Sequence, residues 1–191
     1  KNDIKMNTSI IRGRTLTFKR RPNSATDTDS YSFIEDGALF VTNGIISKLG
    51  SFSDVKAAAP KETVIYDHRP HLIVPGFIDA HLHFPQIQII GSYAPNLLEW
   101  LNNYTFIEEQ KYKSSSHSQN MAKKFFDSLI NHGTTTAASF CTIHPESVEA
   151  FFNESHMRNM LMIGGKVMMD RNAPAELLDT PQSSYDDTKM L

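Results

Sequence analysis

The chain has 191 residues, 40% of them hydrophobic and 21% charged, which is enough apolar content for a folded core and argues against a wholly disordered chain. Nineteen Lys and Arg stand against twenty-one Asp and Glu, a formal charge of −2 that lacks the basic footprint of a nucleic-acid binder. A single cysteine, Cys141, excludes an intrachain disulfide framework or a thiolate cage, and suits a reducing, cytoplasmic compartment.

The opening Lys1-Asn2-Asp3-Ile4-Lys5 lacks the apolar stretch of a signal peptide. The longest run free of Asp, Glu, Lys and Arg lies between Asp79 and Glu99, and its histidines, glutamines and prolines make it unfit for a bilayer. A soluble protein without a membrane partner is expected. The first residue is Lys, so the sequence is not expected to begin at a natural start.

The first 75 residues read as β-structure. Ile10 to Phe18 shows short β-branched alternation, followed by a polar loop over Arg21 to Ser30. Ala38 to Thr42, Asn43-Gly44 and Ile45 to Leu49 form a hairpin signal, because Asn-Gly supplies the positive φ angles of a type I′ turn. Thr63 to Asp67 reads as a further strand. No catalytic signature falls in this portion.

From Leu72 the rhythm changes to alternating strand and helix. Leu72 to Ala80 is almost continuously apolar, as expected of a strand buried on both faces. Asn96 to Asn103 predicts a short helix, and Gln119 to Asn131 a longer one with Met121, Phe125 and Leu129 at intervals of four. His132-Gly133 ends it, Thr134 to Phe140 is a second strand, and Pro145 opens a helix carrying Val148, Phe151 and Phe152. Leu161 to Met169 is a third strand, and Ser183 to Leu191 looks like a helix beginning at a Ser cap. The alternation predicts parallel strands with helical crossovers. A barrel of eight strand–helix units needs about 250 residues. Only 116 remain after Pro75, so the chain reads as truncated.

His81-Leu82-His83 directly follows the apolar strand. Side chains at i and i+2 of an extended chain share a face, so two imidazoles can converge on one ion at the strand's carboxyl end. Neutral imidazole nitrogen suits zinc, and a catalytic zinc takes about three protein ligands.

The segment Val74-Pro75-Gly76-Phe77-Ile78-Asp79-Ala80-His81-Leu82-His83 resembles the first metal-binding strand of the amidohydrolase superfamily. Phe84-Pro85-Gln86, Leu97-Leu98-Glu99-Trp100-Leu101 with Tyr104-Thr105-Phe106, His132-Gly133-Thr134-Thr135-Thr136 and Lys166 to Pro174 narrow the resemblance to the guanine deaminases, the bacterial enzymes above all. The likeness runs from about Phe33 to Leu191.

This resemblance implies an α/β fold: the first three strand–helix units of a TIM-like (β/α)8 barrel over residues 76–191. They are preceded by the amino-terminal strands of a small β-sandwich over residues 1–75. It implies one Zn²⁺ per active site, guanine as substrate, xanthine and ammonia as products in purine catabolism, and a homodimer. Matched residue by residue, His81 and His83 are zinc ligands, and the loop His83-Phe84-Pro85-Gln86 lines the purine pocket with the Gln86 amide toward the ring. Gln86 could alternatively cap a loop backbone, and Trp100 is either pocket wall or domain core. The family's further ligands and its proton-shuttling carboxylate match nothing in this chain, so no catalytic residue is assigned within it.

Asp170-Arg171-Asn172 is read as an ion pair fixing a loop, His132 as a helix-end residue and Cys141 as a buried hydrophobe. The His-x-Glu and Pro-Cys-x-x-Cys pieces of the cytidine-deaminase zinc site are absent. The rivals are another superfamily deaminase or chlorohydrolase, and a catalytically inactive chain that reuses the fold.

Overall fold

A computed structural model of the chain describes residues 7–191. The signal-peptide question at Lys1 to Lys5 therefore lies outside the described residues. The chain separates into two compact units, one ending at Pro75 and the other running from Gly76 to Leu191.

The first unit holds β1 (Thr8–Phe18), β2 (Tyr31–Thr42), β3 (Ile45–Ser51), α1 (Phe52–Ala58) and β4 (Val64–Ile73). They make one four-stranded sheet in the order β3-β2-β1-β4, with β4 parallel to β1 and the other pairs antiparallel. Asn43 and Gly44 take φ of 50° and 80° between β2 and β3, as the type I′ signal requires. β2 starts at Tyr31 rather than Ala38, because Tyr31 to Ile34 continue the antiparallel ladder against Thr15 to Phe18. Gly37 lets β2 pass close to Thr15 of β1, since a Cβ there would stand 2.4 Å from Thr15 Oγ1. α1 was not foreseen. Its signal is Ser51, whose hydroxyl accepts from the Asp54 backbone N–H at 3.2 Å. The helix buries Val55 against Ile10 and Ala38, with Phe40 and Phe52 packed around them.

The apolar run expected as one strand over Leu72 to Ala80 is two. β4 ends at Ile73, and β5 (Phe77–His83) begins after Val74-Pro75-Gly76. Pro75 has no N–H to give a ladder. Phe77 and Ile78 are exposed rather than buried on both faces, and among the described residues β5 is an edge strand.

The second unit continues from β5 through a 3-10 turn (Phe84–Ile89) to α2 (Leu97–Trp100). A π turn (Leu101–Thr105) then leads into α3 (Phe106–Glu109) and a second 3-10 turn (Gln110–Lys113). After these come α4 (Ser115–Asn131), β6 (Thr134–Phe140), α5 (Pro145–Met157), β7 (Leu161–Gly165) and α6 (Pro181–Met190). The strands form a parallel sheet in the order β5-β6-β7, the mixed α/β architecture expected from the alternation. Phe84, Tyr112, Phe125, Phe126 and Phe151 form the core between sheet and helices. Gly133, at φ 79°, ends α4 in the left-handed region that favours glycine.

β7 stops at Gly165, four residues short of Met169, where Lys166 leaves the ladder and buries its ammonium against Asp179. α6 begins at Pro181, two residues before Ser183, and its cap is Thr180, which accepts from the Ser183 N–H at 3.0 Å. Among the described residues no helix is long and apolar enough to cross a membrane.

Candidate metal and substrate site

β5 delivers His81 and His83 to one face of its carboxyl end, as the i, i+2 spacing requires. Their ring centres lie 5.1 Å apart at an interplanar angle of 80°. Two imidazoles on a tetrahedral ion, each with nitrogen at about 2.0–2.1 Å, have ring centres about 5 Å apart. The observed spacing fits that geometry without moving the strand. Among the described residues no group of three or more His, Cys, Asp and Glu side chains could hold an ion. Two imidazoles alone fall short of the roughly three protein ligands of a catalytic zinc.

The local fold fixes both rings. The His81 backbone N–H donates to Asp79 Oδ1 at 3.0 Å, and the Phe84 N–H donates to the buried Ser139 Oγ at 3.0 Å, tying the exit of β5 to β6. Phe140, at the end of β6, packs on both imidazoles, with ring centres 5.6 Å from His81 and 5.1 Å from His83. Burial and the neighbouring His81 lower the His83 pKa, which favours the neutral ring that ligates metals.

Gln86, on the 3-10 turn, places its side-chain nitrogen 3.3 Å from His83 Nδ1. His81, His83 and Gln86 together line a cavity of 330 Å³ with Phe125, Ser128 and Leu129 of α4. A second cavity of 230 Å³ brings His81 beside Phe140 and Lys166. The 540 Å³ cavity between Met168 to Asp170 and α6 contains none of His81, His83 and Gln86.

The other sequence-predicted residues lie apart from the imidazoles. Phe84 is 0% exposed and turns its ring into the core against Tyr112, Phe125 and Phe151. Pro85 is buried as well. Trp100 is half-buried at the end of α2 and lines neither cavity that contains His81. Arg171 pairs with Asp170 at 2.7 Å on the surface. His132 Nδ1 is 2.7 Å from the Ser128 carbonyl at the end of α4. Cys141 is buried, and burial pushes its thiol up to about 12, so it is inert as a nucleophile.

Sequence reasoning missed two residues of this neighbourhood. Phe140 had a usable signal, as the last residue of a strand parallel to β5. Glu109 had none, because nothing in Phe106-Ile107-Glu108-Glu109 tells which carboxylate points inward. It is Glu109 that is buried, and burial pushes its carboxyl up to about 7.

A parallel sheet with two histidines at the carboxyl end of one strand is the α/β arrangement of the second unit, and a family model described as the amidohydrolase family matches residues 72–190. The chain belongs to that family. Over 159 residues it is 46% identical to the guanine deaminase of Escherichia coli, a match covering 83% of this chain and 36% of that protein. The crystal structure of guanine deaminase from Bradyrhizobium japonicum superposes with a TM-score of 0.89 at 38% identity, over 96% of this chain and 40% of that one. Guanine deaminase from C. acetobutylicum with bound guanine in the active site gives 0.78 at 31% identity, over 96% and 42%. The chain thus spans about two fifths of the length of these proteins.

Proposed function

We propose that this chain carries the first part of the active site of a zinc-dependent guanine deaminase, which hydrolyses guanine to xanthine and ammonia. The single observation that carries the reading is the convergence of His81, His83 and Gln86 on one cavity, with the two rings at the spacing of a shared tetrahedral ion. Similarity to a guanine deaminase with guanine in its active site supports the choice of substrate.

His81 and His83 hold the ion, and when bound it supplies Lewis acidity that makes water a nucleophile near neutral pH. Gln86 binds the purine edge, where an amide can match both donors and acceptors of guanine. Phe140 shields the imidazoles from solvent on one side. Phe84 and Pro85 act from beneath, holding the turn that aims Gln86, and Trp100 belongs to the wall more remote from the ion. We place the carboxylate that moves protons between water and the leaving amine outside these residues.

In the same reading residues 76–191 are the first three strand–helix units of a TIM-like barrel. Residues 1–75 contribute one sheet to a small β-sandwich. The enzyme is a cytoplasmic homodimer of purine catabolism.

The test is turnover by the zinc-loaded, full-length protein on a panel of guanine, cytosine and a chlorinated triazine. Xanthine and ammonia from guanine alone support the reading. Preference for either other compound replaces it with a rival hydrolase, and no turnover on any of them replaces it with a non-catalytic chain.

A further inference from the structure

The Gln86 side chain hydrogen-bonds a residue of the metal site: its amide nitrogen stands 3.3 Å from Nδ1 of His83. The contact is built into the local backbone. Gln86 lies three residues after His83 on the 3-10 turn Phe84–Ile89, and three residues per turn bring positions i and i+3 to one side. Phe84 and Pro85, between them, are buried, and the Phe84 N–H donates to Ser139 Oγ at 3.0 Å, so the turn is anchored from beneath.

This contact decides which nitrogen of His83 is left for an ion. Nδ1 is taken by Gln86, which leaves Nε2 for the cavity that both imidazoles line. A neutral imidazole that gives Nε2 to a metal carries its one proton on Nδ1, so Nδ1 is then a donor. In the structure the NH2 end of the amide faces Nδ1, an arrangement that suits a ring with its proton on Nε2. Two donors cannot share a hydrogen bond. Half a turn of the amide about its last bond, with little change of shape, replaces that donor by Oε1. A partner that accepts from the second nitrogen of a metal-bound imidazole fixes the ring and raises its basicity.

We propose that Gln86 is a positioning residue for His83 as well as a substrate contact: with an ion on Nε2, its Oε1 accepts from Nδ1–H, and both amide N–H groups are turned to the cavity. The ring stays neutral, since one proton leaves Nε2 and one is taken up on Nδ1. A substrate then meets a donor, so Gln86 selects an unprotonated ring nitrogen or a carbonyl oxygen and not an amino group. That second half rests on the reading of Gln86 as the group at the purine edge. The pairing with His83 does not.

The experiment measures zinc affinity, by competition with a chelator, in the full-length parent, Gln86→Leu and Gln86→Glu. Gln86→Leu removes the acceptor and should weaken zinc binding about tenfold. Gln86→Glu keeps an acceptor at the same reach and should hold zinc at least as tightly as the parent. It has no N–H to offer, however, and in the zinc-loaded state should raise KM for guanine about tenfold. A merely structural Gln86 would weaken zinc binding in both variants alike or in neither. Zinc affinity unchanged in Gln86→Leu, or lowered as far in Gln86→Glu as in Gln86→Leu, overturns the proposal.

Nitrogen NMR of the zinc-loaded parent with labelled histidine decides the matter if a variant fails to fold. A proton on His83 Nδ1 supports the pairing, and a bare Nδ1 overturns it. The expected split in zinc affinity, in a protein that leaves guanine untouched, upholds the pairing and overturns the substrate reading. Guanine turnover with the parent's KM in Gln86→Glu overturns the donor role and leaves that reading intact.

Discussion

Lys166 and Asp179 form a buried ion pair that ties the end of β7 to the segment leading into α6. The Lys166 side chain is 1% exposed and that of Asp179 8%, with Asp187 of α6 a further 3.9 Å from the ammonium. Lys166 also lines the cavity shared by His81 and Phe140. The pair therefore fixes one wall beside the imidazoles and explains why the β7 ladder stops at Gly165.

Removing one member of such a pair leaves a buried charge uncompensated. Asp179→Ala should destabilise the protein by about 3–5 kcal/mol, softened by Asp187, whereas the double change Lys166→Met with Asp179→Leu should recover most of that loss. Denaturant unfolding of the full-length protein measures both. A near-neutral Asp179→Ala would show that the pair is not buried in solution.

The Glu109 carboxyl gives stability a pH dependence. Burial raises its folded-state pKa from an ordinary 4.5 to about 7, so the native state holds this proton to higher pH than the unfolded chain does. Its contribution to stability is full below pH 4.5 and is lost as pH rises through 7, a change on the order of 3 kcal/mol. Glu109→Gln should flatten stability across that window and leave the variant more stable than the parent at pH 8. Parallel stability–pH curves for the two proteins would contradict the burial of this carboxyl.

Gln86 should matter to binding more than to folding. Gln86→Ala should cost roughly 1–3 kcal/mol of transition-state stabilisation on guanine, read from kcat/KM, with the unfolding midpoint little changed. Wild-type efficiency would return Gln86 to the role of a loop cap.

Within the fold, what was legible followed from local rules. Asn43-Gly44, the Pro145 helix start and Gly133 each act through their own φ angle or missing N–H, so sequence alone places them. The strand alternation gave three parallel strands, and His81-Leu82-His83 gave two rings on one face, because a period of two needs no tertiary knowledge. The errors came where tertiary contacts decide. Thr135 packs so close to Gly76 that a Cβ there would stand 2.0 Å from its Oγ1, a contact no spacing reveals, and the early end of β7 goes with the burial of Lys166 against Asp179. That Glu109 is the more buried of two adjacent carboxylates is a matter of tertiary packing, which no spacing reveals.

Residues 1–191 expressed alone should associate. β7 pairs only with β6 among the described residues, and Leu161 and Ile163 on it are exposed, as are Phe77 and Ile78 on β5. Unpaired strand edges with apolar side chains recruit other chains. Light scattering should show aggregates, and no guanine turnover is expected. A monomer with cooperative unfolding would contradict the packing argument.

The central claim is that His81 and His83 hold a zinc ion on which guanine hydrolysis depends. The most direct measurement is zinc content together with guanine turnover for His83→Ala in the full-length protein. The account predicts loss of the metal and of activity, with the fold retained by circular dichroism, since His83 is only partly buried. Normal zinc stoichiometry with undiminished production of xanthine would contradict it.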